Sequence, residues 1–351
     1  MYWRRPGVDS AANQIWVWPK GDTYYMFVLA IDIGYSNLKV VWGEAGSNPQ
    51  SWITPSGCGP REALSESVSG GVGNGIPQVL IGGRPWVAGV GHSLIESSVR
   101  ELHADYPSTE VWEALFKAAL RRAGRERVDV LVTGLPVSQH QDPARRDKLK
   151  QSLVGSHQVT PSSRVAVQRV AVLSQPTGTY LDAVATRPDL LDLFENGRTV
   201  VLDPGFFSMD WLVIDRGRVN KASSGTSLNA MSVLIERVVA LVREATGAVI
   251  DHNRIEDALR LGQDQILVYG QWVSIKTYLE NAEQSVAAAA MTELRRAMRG
   301  DASAIDVVLI AGGGAKSYEA TATQVFPYSR VIIPDAPELA NARGFWQHGQ
   351  P

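Results

Sequence analysis

Two stretches of this chain end an apolar, β-prone run in Asp-x-Gly and resume an apolar run within a few residues. They are Ile31-Asp32-Ile33-Gly34-Tyr35-Ser36-Asn37-Leu38-Lys39 and Leu202-Asp203-Pro204-Gly205-Phe206-Phe207-Ser208-Met209-Asp210. The pattern predicts a strand, a tight turn and a returning strand in both places. Glycine lets such a turn approach a phosphate and aim backbone N–H groups at it, and an adjacent aspartate can hold a hydrated Mg²⁺ or orient a water. The seventh residue after each Asp is charged, Lys39 in one copy and Asp210 in the other. A cation there suits phosphate oxygens; an anion suits the metal side. Either copy alone also reads as an ordinary hairpin with a glycine turn and a solvated Asp. As a pair they imply one split nucleotide pocket.

A third element lies near the end of the chain, where the buried-strand run Val307-Val308-Leu309-Ile310-Ala311 meets Gly312, Gly313 and Gly314. With no Cβ in the way, a flat base or a ribose can lie directly on such backbone. Alone, the element also reads as a loop that needs positive φ.

Taken in order, the three elements resemble the phosphate-1, phosphate-2 and adenosine motifs of the actin, sugar-kinase and heat-shock-chaperone ATPase superfamily, across nearly the whole chain after residue 26. Within it the chain is similar to the bacterial actin-like proteins of plasmid segregation, the ParM or StbA type. Residues 203–211 look similar to protein D of the PRTRC gene cassette. Residues 80–89, with a trailing Val-x-Gly, residues 131–136, ending in Gly-Leu-Pro, and residues 337–345, carrying Ala-Asn-x-x-Gly, resemble further family stretches.

The resemblance implies an α/β chain of the actin-like ATPase fold, with two similar ribonuclease-H-like lobes around a nucleotide cleft, residues 26–175 forming lobe I and 176–351 lobe II. ATP with Mg²⁺ would lie between the lobes. Gly34, Tyr35, Ser36, Asn37 and Lys39 would hold phosphates on one side and Gly205, Phe206 and Ser208 on the other. Asp32 and Asp203 would bind the hydrated metal or orient water. Gly312, Gly313 and Gly314 would back the adenine and ribose, and Glu236 falls where relatives hydrogen-bond the nucleoside. Gln175, just after the strand predicted over 165–173, matches the residue that aims water at the γ-phosphate. A neutral amide can hold water in line but is no strong base, which suits slow hydrolysis. Gln175 reads equally as a cap of the following helix. The Gly225-Thr226-Ser227 step before the helical run 229–246 reads either as a ribose or phosphate contact or as a plain N-cap. Many relatives carry small or hydroxyl residues where this chain has Phe206-Phe207, so backbone N–H groups or Ser208 would have to serve the phosphates.

The implied output is ATP hydrolysis coupled to assembly: subunits stack head to tail, a heterologous contact that gives a filament rather than a closed ring. DNA segregation would follow through a DNA-bound adaptor protein, without direct sequence-specific nucleic-acid contact. The alternatives are a small-molecule, sugar-type kinase of the same superfamily, or a nucleotide-gated binding module that never polymerises. A kinase needs a catalytic Asp near the acceptor hydroxyl with a polyol-holding set around it, and no convincing set stands out.

The elements that must position these residues follow from periodicity. Residues 109–122 carry apolar positions at three-four spacing, an amphipathic helix. Residues 128–135 form the continuous apolar run of a strand buried on both faces. Residues 52–74, rich in Gly, Ser and Pro, read as loops and a small subdomain, with Gly70, Gly71, Gly73 and Gly75 in a flexible turn. Further on come a short helix over 254–260, a hairpin over 265–275 turning at Gly270, and a long helix over 278–298.

Bulk properties constrain the reading less. The 351 residues, 44% hydrophobic, suffice for two lobes with their own cores. A net charge of −2 argues against a dedicated nucleic-acid surface. The basic clusters at 121–127 and 145–150 read as solvated helix ends. One cysteine, Cys58, excludes an internal disulfide and fits a reducing, cytoplasmic setting. The six histidines are scattered without ligand-like pairing. No apolar run approaches the ~20 residues that span a bilayer, so no membrane partner is expected. Residues 1–25, polar and Trp/Tyr-rich, are expected to be a disordered tail or an over-long start ahead of Met26.

Overall fold

Both Asp-x-Gly turns sit at the end of the central strand of a five-stranded sheet, and the two sheets share one topology. The computed structural model describes residues 26–65, 76–96, 105–228, 230–298 and 305–351. The expectations for residues 1–25 and for the Gly70–Gly75 turn lie outside them. The first half runs β1 (Phe27–Ile33), β2 (Asn37–Glu44), β3 (Gln50–Pro55), β4 (Gly57–Pro60), β5 (Gln78–Ile81), β6 (Arg84–Val90), α1 (Glu110–Ala123), β7 (Arg127–Val128), β8 (Val130–Leu135), α2 (Val137–His140), α3 (Pro143–Leu153), β9 (Gly155–Thr160), β10 (Ser163–Val167) and β11 (Val170–Ser174). The second runs α4 (Gln175–Thr186), α5 (Leu191–Asn196), β12 (Arg198–Pro204), β13 (Met209–Asp215), β14 (Arg218–Ser227), α6 (Met231–Thr246), α7 (His252–Arg260), β15 (Gln265–Val268), β16 (Gln271–Ser274), α8 (Lys276–Met298), β17 (Val307–Ile310), α9 (Ala315–Val325), β18 (Arg330–Ile332) and α10 (Ala340–His348).

The sheets are ordered β3-β2-β1-β8-β11 and β14-β13-β12-β17-β18. In each, the first three strands form an antiparallel meander, and two parallel strands extend the other side. β1 and β12 are buried along almost their whole length, as strands covered on both faces must be. Register places Lys39 opposite Asp32 and Asp210 opposite Asp203, so the two charged seventh residues hold equivalent positions beside the two turns.

Three expectations need correction. Residues 50–55, read in part as loop, form edge strand β3; Pro and Ser break their alternation, and only pairing with β2 makes the strand legible. The run 165–173 is two strands, not one. β10 joins β7 and β9 in a small sheet, while β11 enters the main sheet beside β8. The main strand is bent in the same way at Asp129, whose carboxylate accepts from Phe27 N and Arg127 Nε, each at 2.8 Å. Finally, Gly225-Thr226-Ser227 ends strand β14, and α6 begins only at Met231 with no side chain capping it.

α10 turns back onto the first sheet, where Ala342, Phe345 and Trp346 pack with Met26, Val28, Ala30 and Val132. It also crosses α4 at a point where Gly344 lies directly on the Gly178 carbonyl, with no room for a Cβ on either residue. Gly344→Ala is expected to force these helices apart and cost about 1–3 kcal/mol, the usual range for overpacking a filled contact. Denaturant midpoints of the variant and parent check this.

Candidate functional site

A cleft of about 400 Å³ opens between the lobes, and both Asp-x-Gly turns line it. It gathers Asp32, Gly34, Tyr35, Ser36, Asn37, Lys39, Gln175, Asp203, Gly205, Phe206, Ser208, Gly312 and Gly313 from opposite halves of the chain. Gly225 and Glu236 are not among its walls. Gly225 lies beneath the Trp211 ring, where a Cβ would collide with the indole. Glu236 points to solvent from α6, whose Met231 and Ile235 line the cleft instead. Gly314 stands just behind the wall, its N–H donating to the Pro204 carbonyl at 3.0 Å and tying the start of α9 to the second turn.

On the floor, Asp32 is 2% exposed. Its Oδ2 pairs with Lys39 Nζ at 3.0 Å, and its Oδ1 accepts from Gln175 Nε2 at 3.0 Å. Gln175 is the first residue of α4 and Ser174 is the N-cap. The amide is spent on Asp32, two strands away at the end of the same sheet, rather than on capping its helix.

Asp203 faces Asp32 from the end of β12. It is 7% exposed, and its Oδ2 accepts from Asn341 Nδ2 at 2.6 Å. Asn341 is fixed in turn by Thr179 Oγ1, which donates to its side-chain oxygen at 2.8 Å. Burial, then the negative charge of Asp32, pushes the Asp203 carboxyl up to about 7. Gly312, at φ +81°, passes so close that a Cβ would overlap Asp203 Oδ1. Two buried carboxylates of like charge, one of them driven toward neutrality, form a site that a divalent cation would complete. Mg²⁺ suits such a floor, since it is held through one or two carboxylates, waters and substrate phosphates rather than by an all-protein cage. Among the described residues no cluster of three or more His, Cys, Asp or Glu could form such a cage.

Asp210 differs from expectation. Its carboxylate accepts from Val137 N at 2.7 Å, Thr226 Oγ1 at 2.6 Å and Ser208 Oγ at 2.7 Å. Burial raises its pKa as well. Rather than serving a metal, it binds the second turn to the first residue of α2 in the other lobe. Ser208 therefore spends its one hydrogen-bond donor on Asp210. On the first turn Ser36 does likewise, its Oγ donating to Glu256 Oε1 at 2.6 Å.

An aromatic layer covers the turns: the Tyr35 ring stacks on Tyr106 with centroids 4.4 Å apart and meets Phe207 of the opposite turn at 4.9 Å. Burial raises the Tyr35 hydroxyl well above its ordinary value, with Asp210 adding to the shift. Glu256, Asp210 in its joining role, Tyr106 and Asn341 are the residues that sequence reasoning missed. The helix over 254–260 was legible, but the partner of Glu256 is 220 positions away. Among the described residues no helix is long and apolar enough to cross a membrane.

The family model described as the N-terminal domain of actin-like proteins matches residues 30–178, and that of the C-terminal domain of the archaeal actin homologue MreB-like matches residues 201–322. No curated protein matches the chain. Among solved structures, the archaeal actin homolog Ta0583 is 20% identical with a TM-score of 0.72, over 92% of this chain and 99% of its own. A non-polymerisable quadruple mutant of pCBH ParM is 18% identical with a TM-score of 0.73 over the same shares. A ParM from Clostridium botulinum, solved as a 15-stranded filament, is 17% identical with a TM-score of 0.69, over 93% of this chain and 99% of its own. At these identities the likeness is one of fold.

Proposed function

We propose that this chain, whose two halves match models of actin-like proteins, is a filament-forming ATPase. In this reading ATP with Mg²⁺ lies in the interlobe cleft, hydrolysis is slow, and ATP-bound subunits assemble head to tail in the cytoplasm. The polymer serves plasmid or other DNA segregation through a DNA-bound adaptor, as the resemblance to the ParM/StbA type and PRTRC protein D implies. One observation carries the nucleotide reading: equivalent ends of two sheets of the same topology bring Asp32 and Asp203 together, buried, beside two glycine turns. Ta0583 has been solved with ADP and a Clostridium botulinum ParM as a filament, and both facts support the reading.

When bound, Mg²⁺ supplies the positive charge that lets buried carboxylates and phosphates share one site. The chain's own residues divide the remaining work. Lys39 Nζ offsets phosphate charge from the first turn, and the N–H groups of both turns cradle the phosphate oxygens. Through Nε2 Gln175 is held by Asp32, which leaves its carbonyl oxygen to accept from an attacking water. Asn341 fixes the Asp203 carboxylate. Such parts act by placement and electrostatics, as phosphoryl transfer requires.

High-speed sedimentation with Mg²⁺ plus ATP, a non-hydrolysable analogue, ADP or no nucleotide tests the proposal. Pelleting with the triphosphates alone is the expected result and disfavours the small-molecule kinase. A protein that binds ATP yet stays in the supernatant in every state rules out the filament, and the search turns to phosphate acceptors.

A further inference from the structure

We infer that Glu256 is a built-in competitor for the phosphate that Ser36 would hold, so that a bound phosphate releases α7 from the first turn. The inference rests on the nucleotide reading above. Two consecutive acids of α7 reach two separate places in lobe I. Glu256 Oε1 accepts from Ser36 Oγ on the first turn at 2.6 Å, and Asp257 Oδ2 accepts from Ser93 Oγ, in the His92–Leu94 turn beyond β6, at 3.2 Å. The Tyr35–Phe207 ring contact also joins the two turns.

A serine hydroxyl has one proton to donate. A carboxylate oxygen and a phosphate oxygen present it with the same acceptor and the same sign of charge. Ser36 can therefore serve Glu256 or a phosphate, not both, and two anions at that separation repel each other. Glu256 is only 8% exposed, so the repulsion is poorly screened.

The comparison with Ser208 shows why one of these acids can yield and the other cannot. Asp210, the acceptor for Ser208, is anchored on a central strand by three donors from both lobes. Glu256 stands instead on α7, which shares a small core of its own with α6 and the β15–β16 hairpin through Ile255, Ala258, Val238, Ile266 and Val268. Through Ala282 and Val286 of α8 and through Phe206 that unit is tied to the second sheet, and Glu256 and Asp257 hydrogen-bond it to the first lobe. The phosphate state of the cleft is thereby transmitted to α7, with Glu256 as a positioning residue acting through Ser36.

The test uses the full chain and four forms: parent, Glu256→Ala, Ser36→Ala and the double variant. Without nucleotide, either single change should raise amide hydrogen exchange in α7 and the first turn about tenfold, the scale of losing one charge-assisted hydrogen bond. Association of Mg-ATP, followed by stopped flow with a fluorescent analogue, should accelerate about tenfold in Glu256→Ala and gain nothing further in the Ser36→Ala background. Glu256→Gln, which keeps a weaker bond without the charge, should raise exchange less than Glu256→Ala while still tightening ATP. A purely structural role would not split the two readouts. ATP binding at one rate in all forms overturns the competition alone. No ATP binding in any form, with exchange still responsive, overturns both the competition and the nucleotide reading.

Discussion

Replacing Asp203 with asparagine is expected to make the nucleotide-free protein more stable and ATP hydrolysis about 10–100-fold slower or worse, the usual loss when a group that orients a metal's ligands is removed. The stabilisation follows from burial. Asp203 is 7% exposed and shares the cleft floor with Asp32, and its pKa rises from 3.8 to about 7. The folded state thus holds the proton up to about pH 7, whereas the unfolded chain releases it near pH 4. Between these values the folded form binds more protons, so this residue's contribution to stability declines as pH rises, opposite to an ion-paired carboxylate. Asparagine removes the charge and can still present an oxygen to Asn341 Nδ2. We expect a gain of about 1–2 kcal/mol at neutral pH, typical of relieving a strained functional site, and a flatter stability profile between pH 4 and 7. Thermal melts of both forms across that range, without nucleotide, and a phosphate-release assay at saturating Mg-ATP measure the two effects. A variant less stable than its parent at pH 7 would mean that Asp203 is not the destabilising group.

Lys39→Met should act in the opposite direction. Lys39 is the cationic partner of Asp32, with both side chains largely buried at 13% and 2% exposure. Removing one member of a buried pair leaves the other charge uncompensated, at a cost of about 3–5 kcal/mol. Gln175 still donates to Asp32 Oδ1, which softens the loss without cancelling it. The double variant with Asp32→Asn should recover most of the stability, since neither charge then remains. In chemical denaturation the midpoint should fall strongly in the single variant and return in the double, with ATP binding weak in both. Opposite signs at the two facing carboxylates would distinguish Asp32, paired with a cation, from Asp203, held by an amide.

Local features of the fold were the readable ones. Each Asp-x-Gly hairpin and the glycine run after β17 encode their geometry within a dozen residues, so the turns, the helix over 110–123 and the β15–β16 hairpin were legible from patterning. Where pairing across long separations decides, the reading fell short. The edge strand at Gln50 has no alternation of its own. The break between β10 and β11 depends on which sheet each half joins, and Gly225 belongs to a strand because Trp211 needs space above it. The same limit applies to the cleft. Its glycines and carboxylates announce themselves by spacing, whereas the engagement of Ser36 by Glu256, of Asp210 by Val137 and of Asp203 by Asn341 exists only once distant segments meet. Gln175 shows the boundary well: its position could be read, but whether it caps its helix or faces the cleft is decided by Asp32, 143 positions away.

The chain passes between the lobes by α4 and returns by α10, and these helices touch at two glycines. A body joined to another by two struts that cross at one point behaves as a lever about that point. At the contact between Gly178 and Gly344 the backbones meet directly, Thr179 and Asp182 of α4 hold Asn341 and Arg343 of α10 beside it, and the packing of Phe345 and Trp346 on the first sheet resists sliding. Displacement therefore grows with distance from the fulcrum: small beside Asp32 and Asp203, larger at the mouth, where Ser93 meets Asp257. In the proposed ATPase, chemistry at the floor can stay in register while the rim travels, and the rim is the part of the molecule that a neighbouring subunit would feel.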